Sequence, residues 1–233
     1  MLHRFTYFIM RSKLISFFAF CVLLPLGLSA QVNDAGLWAG INLEKKIDKK
    51  FSVHLSEELR FYENITELGS FFTEASLEYR LNKTFGFSAG YRFINKRRED
   101  NSYSKRHRFL LNATAKRKFN QLNVGVRFRY QSQYADYYSD AEGQVPSNYF
   151  RTKLAFKYDL NKKYTPFLSG EAFIHTNRAD GMLMDNYRIE GGIDYEFSKV
   201  SSIQLSYIFN KEIQVNDPLT DYVIGIGWNY VLR

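Results

Sequence analysis

Residues 122–130, LNVGVRFRY, put Leu122, Val124, Val126, Phe128 and Tyr130 on one parity and Asn123, Gly125, Arg127 and Arg129 on the other. A repeat of two residues is the side-chain period of a β-strand and of no helix, so an apolar set on one parity commits a segment to a sheet with two unlike faces. The pattern recurs in about eleven stretches of roughly ten to fifteen residues, from Leu37, Ala39, Ile41 and Leu43 near the start to the stretch from Tyr222 to Leu232. One stretch, FSVHLSEELRFY at 51–62, is ambiguous alone. Every fourth residue gives a helical stripe of Phe51, Leu55 and Leu59, and every second gives Phe51, Val53, Leu55, Leu59 and Phe61, with Glu57 the exception. The helical reading leaves Val53 and Phe61 off its stripe, and the recurrence elsewhere decides for a strand.

The connections alternate as well. Short ones (48–50, 82–83, 119–121, 161–163 and 198–199) are interleaved with longer polar ones at about 62–70, 95–104, 135–148, 177–185 and 211–220. Long strands with short turns at one end and longer loops at the other are what a transmembrane β-barrel requires, because a bilayer tolerates only helices and closed sheets. A soluble sandwich also alternates, but its strands run about five or six residues and its polar face is rich in Lys, Thr and Ser. Twenty-one Phe and seventeen Tyr favour the barrel. Rings gather by the short turns (Phe51, Tyr79, Phe85, Tyr158, Tyr195, Trp228) and by the long loops (Phe61, Phe71, Tyr134, Tyr149, Phe209), as expected of two interfacial girdles.

The first thirty residues read differently. MRSKLISFFAFCVLLPLGLSAQ has a basic start at Arg11 and Lys13, an apolar centre and small residues before Gln31, which predicts a signal peptide over 1–30 with translation starting at Met1 or Met10. The barrel is then one domain over 31–233. The only cysteine, Cys21, lies in that apolar centre, so the exported chain has no thiol, no disulfide and no cysteine metal site. Removing residues 1–30 takes Arg4, Arg11 and Lys13 and no acid, which lowers the formal charge from +8 to +5. That is too little to argue for nucleic acid. No metal-ligand spacing and no cofactor motif is present; Gly90, Gly191, Gly192, Gly225 and Gly227 fall in strands and imply close backbone approach.

The segments LWAGINLEKKIDKKFSVHLSEELRF, LEYRL, GYRF, KRHRF, RFRYQ, YFRTKLAFKY, FLSGEAF and DNYRIEGGIDY, in that order, resemble a family of Gram-negative outer-membrane β-barrels known only as a domain of unknown function. The resemblance implies the barrel, an outer-membrane location and no activity. The expected fold is all-β, an up-and-down antiparallel transmembrane barrel of 10–12 strands. Eleven stretches do not fit the even count usual for single-chain bacterial barrels, so residues 37–47 stand apart from a ten-strand wall or a twelfth strand escapes the pattern.

With the apolar parity facing lipid, the other parity lines the lumen: His54, Glu58, Arg60, Glu74, Glu78, Arg80, Arg92, Arg108, Arg127, Arg129, Arg151, Lys153, Glu171, His175, Arg188, Glu190, Asp194 and Glu196. Buried charges must be matched, so this density predicts Arg–Glu pairing across a narrow interior, either a selective pore or a closed structural barrel. The alternative is an outer-membrane hydrolase acting on lipid or peptide, with His54 or His175 as base; His54, Ser56 and Glu58 share a face in HLSEE, although a polar lumen produces such triples by chance. The expected partners are outer-membrane lipid, with the basic segment 95–108 set to meet lipopolysaccharide phosphates, and the barrel-assembly machinery during insertion. The acidic, aromatic segment 134–144 reads as a surface loop. Nothing in the residues sets an oligomeric state.

Overall fold

A computed structural model describes residues 32–135, 146–178 and 181–232. The expected signal peptide and most of the 134–144 loop lie outside the described residues. Eleven strands follow one another: β1 Val32–Lys46, β2 Phe51–Tyr62, β3 Glu67–Arg80, β4 Phe85–Arg97, β5 Tyr103–Phe119, β6 Leu122–Ala135, β7 Ser147–Tyr158, β8 Tyr164–Arg178, β9 Gly181–Ser198, β10 Ser201–Glu212 and β11 Leu219–Leu232. Each pairs antiparallel with the next, and the sheet closes where β1 meets β11.

The closure answers the odd count in a way neither sequence expectation allowed. β1 belongs to the wall and no twelfth strand completes it: β1 runs parallel to β11, from Val32 opposite Leu219 to Lys45 opposite Leu232. It is also antiparallel to β2, from Leu37 opposite Phe61 to Lys46 opposite Ser52. An odd number of up-and-down strands can close only through one parallel pair. Parallel hydrogen bonds are slanted and slightly weaker per residue. Asn42 Nδ2 donates to Asn229 Oδ1 across it at 3.1 Å.

The two parities separate as the alternation requires. Along β2, Phe51, Val53, Leu55 and Leu59 are exposed on the outside while Ser52 is buried and His54, Ser56, Glu58 and Arg60 are half-buried inside. Glu57 faces outward with the apolar set and accepts a hydrogen bond from Thr73 Oγ1 at 2.7 Å.

Three short turns share one chemistry. Asp48-Lys49-Lys50-Phe51, Asn82-Lys83-Thr84-Phe85 and Asn161-Lys162-Lys163-Tyr164 each begin with a side-chain oxygen that accepts the backbone N–H groups two and three residues on, at 2.6–3.0 Å. The two N–H groups on Asp48, chiefly that of Lys50, hold its carboxyl below the usual range.

The long connections are shorter than the polar composition suggests. Only 63–66, 98–102 and 213–218 separate β2 from β3, β4 from β5 and β10 from β11. Strands of 12 to 18 residues rising ~3.3 Å per residue at a tilt of ~40° stand roughly 30–45 Å tall, against an apolar band of ~25 Å. The hairpins therefore continue as paired strand past a band of that height, where alternation fades. At the long-loop end, Glu63, Asn64 and Ile65 take left-handed backbone conformations (φ 51°, 57° and 71°). Asp34 of β1 secures that turn by accepting the N–H of Glu63 at 3.0 Å and of Asn64 at 2.9 Å.

Candidate functional site

Eleven strands about 4.8 Å apart and tilted by about 40° enclose a wall-to-wall diameter of about 22 Å, most of which long side chains from facing walls can span. The inward parity does so at mid-height. Arg92 stacks on Phe72 with 3.7 Å from guanidinium carbon to ring centre, and Arg60 lies 5.2 Å from the same ring. Arg60 and Arg188 then contact the Trp38 ring at 3.7 and 4.7 Å. Arg188 and Arg151 lie 5.2 and 4.1 Å from the Phe173 ring. The belt thus runs Arg92, Phe72, Arg60, Trp38, Arg188, Phe173, Arg151, alternating cation and ring across β4, β3, β2, β1, β9, β8 and β7 and crossing the seam at Trp38. The indole N–H of Trp38 is buried with no hydrogen-bond partner among the described residues, while its ring face is engaged by the two guanidiniums.

Carboxylates and amides accept guanidinium N–H groups of the belt, and Arg127 Nε is left buried without a hydrogen-bond partner among the described residues. Glu58 takes Arg60 Nε at 2.6 Å and Glu74 takes Arg92 Nε at 2.6 Å. Glu171 is shared: Arg127 Nη2 reaches Oε1 at 2.7 Å and Arg151 Nη2 reaches Oε2 at 2.9 Å. Neutral amides join these Arg–Glu pairs. Arg129 donates to Asn112 Oδ1 at 2.6 Å, Arg151 also to Gln131 Oε1 at 3.0 Å, Arg108 to Gln133 Oε1 at 3.0 Å, and Arg188 to Asn210 Oδ1 at 3.3 Å. Neutral amide oxygens separate like charges that the carboxylates are too few to pair.

A second tier lies towards the short turns. Lys153 pairs with Glu190 at 3.0 Å and Lys157 with Asp194 at 2.8 Å. His54 Nε2 lies 3.4 Å from Glu78 Oε2, and Arg80 lies 3.7 Å from Glu78 Oε1 at the rim. Glu196 is exposed near the end of β9. His54 is thus engaged by Glu78 and Glu58 by Arg60.

His175 sits in the opposite mouth, stacked on Tyr149 with ring centres 4.5 Å apart. Its Nε2 is 3.2 Å from Ser147 Oγ and its Nδ1 is 3.8 Å from Asp185 Oδ2. Ser147 escapes sequence reasoning because it falls in the stretch 135–148 read as a long connection, and Asp185 because a register shift at Phe173/Ile174 turns it out of the alternation. Trp38, Phe72, Leu110, Ile208 and Val223 were also missed as lumen residues; each is buried. Trp38 and Phe72 stand on the ionic parity of their strands, which was the available signal.

The basic segment 95–108 is the hairpin of β4 and β5. Arg97 is engaged by Glu67 and by Asn101 Oδ1, and Arg108 points inward to Gln133. Tyr103, Lys105, His107 and Phe109 are exposed on the outside.

The family described as protein of unknown function (DUF2490) matches residues 35–218. No curated protein matches the chain in sequence. Among solved structures, the chain is similar to the NanC porin (TM-score 0.56, 14% identity, 85% of this chain and 98% of that one). It is also similar to a bacterial polysaccharide outer membrane secretin (TM-score 0.55, 10% identity, 81% and 67%). These likenesses show the fold alone. LpxR from Salmonella typhimurium, at TM-score 0.47 and 10% identity over 82% and 87%, is too loose a likeness to carry an argument.

Proposed function

The chain belongs to the family described as protein of unknown function (DUF2490), and from that premise we propose that it is an integral barrel of the Gram-negative outer membrane whose own side chains close the lumen at mid-height. The observation that carries this is inverted burial. The inward Leu110, Phe72, Glu171, Trp38 and Arg151 are 2–7% exposed, whereas the outward Phe109 and Leu111 are 54% and 59% exposed. In a wide channel, water would reach the inward set. Apolar outward faces of this extent in turn need a bilayer to cover them.

Export by the predicted signal peptide follows from this location. Basic and aromatic groups on the outer face of the β4–β5 hairpin, Lys105 and Tyr103 among them, stand at the level where anionic lipid headgroups would meet them. The test is conductance of the purified protein in planar bilayers. The expected result is no sustained step of a size seen for open porins, with conduction appearing when Trp38 and Phe72 are both cut back to alanine. Steady ohmic conduction by the unaltered protein overturns the closed reading. Recovery of the protein in the soluble periplasm, without detergent, overturns the location.

A further inference from the structure

We propose that Ser147, His175 and Asp185 form a serine-hydrolase site for carboxylic esters in the long-loop mouth of the barrel. The three come from β7, β8 and β9 and meet on the inner wall above the belt. Ser147 Oγ is 3.2 Å from His175 Nε2, within hydrogen-bond reach of a general base. Asp185 Oδ2 is 3.8 Å from His175 Nδ1, on the ring edge opposite the serine, where a carboxylate selects the tautomer that leaves Nε2 free to accept a proton. A separation of this size is common without substrate, since catalytic hydrogen bonds tighten in the reacting complex.

Supporting residues fix both partners. Tyr149 stacks on the imidazole with the planes 9° apart, and its OH donates to the same Asp185 oxygen at 2.9 Å. Asp185 is turned inward by the register shift opposite Phe173 and Ile174, and its backbone carbonyl accepts the N–H of Ile213 at 2.8 Å. A carboxylate that merely closed a strand end would need neither the extra residue nor a tyrosine donor. Gln133 is in register opposite Ser147. Its amide oxygen is taken by Arg108, leaving its amide N–H group as the donor this wall offers to an oxyanion. The imidazole is partly open, with 20% of its side-chain surface exposed, and Asp185 is shielded at 9%.

The reaction balances with water as the only co-reactant. Ser147 Oγ attacks the ester carbonyl carbon and passes its proton to His175 Nε2. The tetrahedral intermediate collapses, breaking the C–O bond, and the departing alcohol takes that proton. Water then attacks the acyl-serine, gives a proton to Nε2, and releases the acid while the proton returns to Oγ.

This inference does not depend on whether the belt below is closed, and conductance does not bear on it. The test uses the folded full-length barrel in detergent micelles, an alkyl fluorophosphonate as serine-directed probe, and p-nitrophenyl butyrate as substrate. The fluorophosphonate should add one mass increment, mapped to the peptide holding Ser147 and absent from His175→Ala. Nitrophenolate release should fall at least about a hundredfold in Ser147→Ala, and Asp185→Asn should lower kcat while changing its pH profile. Ser169→Ala, a buried inward serine outside the trio, should leave both readouts unchanged. A native, folded protein that takes up no label at Ser147 overturns the proposal, as does hydrolysis no faster than that of Ser147→Ala.

Discussion

Replacing Glu171 by alanine is the sharpest perturbation of the belt. Its side chain is 3% exposed, and its carboxylate receives Arg127 through one oxygen and Arg151 through both. The two orphaned guanidiniums are not equivalent. Arg127 keeps 28% of its side-chain surface and can turn to water, whereas Arg151 keeps 8% and is wedged against Phe173. Breaking a buried ion pair from one side costs about 3–5 kcal/mol, because the charge left behind is neither paired nor solvated. The Arg151 half should carry most of that. With a guanidinium slope of about 2–6 kcal/mol per molar, the midpoint should fall by about 1 M. Unfolding is followed in micelles by the fluorescence of Trp38 and Trp228. Removing Arg151 as well, in Glu171→Leu with Arg151→Met, returns the local net charge to its original value and should recover most of the loss, since a well-packed apolar pair can match a buried ion pair. A midpoint unchanged in Glu171→Ala would refute the dry belt; a wet lumen would instead show a small loss of stability and a gain in anion conduction.

Three further outcomes test the wall. Phe128→Lys puts a charge on the lipid face, where Phe128 is 46% exposed, and should cost about 2–4 kcal/mol near mid-bilayer; the neighbouring Arg129→Lys should cost much less, and equal folding yields would reverse the assigned faces. The parallel seam pairs Ala39 with Ile226, so Ala39→Cys with Ile226→Cys should crosslink on oxidation in a Cys21→Ser background; failure to crosslink, with each single variant folded, counts against eleven-strand closure. At Gly192 an added Cβ would meet Leu205 O at 2.2 Å and Phe167 Cζ at 2.9 Å, so Gly192→Ala should lose at least the ~1–3 kcal/mol typical of overpacking, whereas Gly170→Ala, with nothing within 4 Å, should hold its melting point.

The alternation of Leu122 to Tyr130 determines by itself that the segment is a strand and which residues share a face, because the pleat imposes a period of two whatever surrounds it. The same local rule makes Asp48, Asn82 and Asn161 legible as turn residues, since each satisfies backbone N–H groups within three positions of itself. Closure was not legible. Whether β1 pairs with β11, and in which direction, depends on strands nearly two hundred residues apart and on how the twist of all eleven accumulates. The belt was legible only in part. Parity put Arg60, Arg92, Arg151 and Arg188 inside, but a guanidinium several bonds long has no sequence rule for choosing Glu171, Asn210 or an aromatic ring, and strand register chose for it. Asp185 shows the limit most plainly: one extra residue in a single strand pair reverses which way a side chain faces, and only the paired sheet, where two residues must oppose one, reveals where that residue falls.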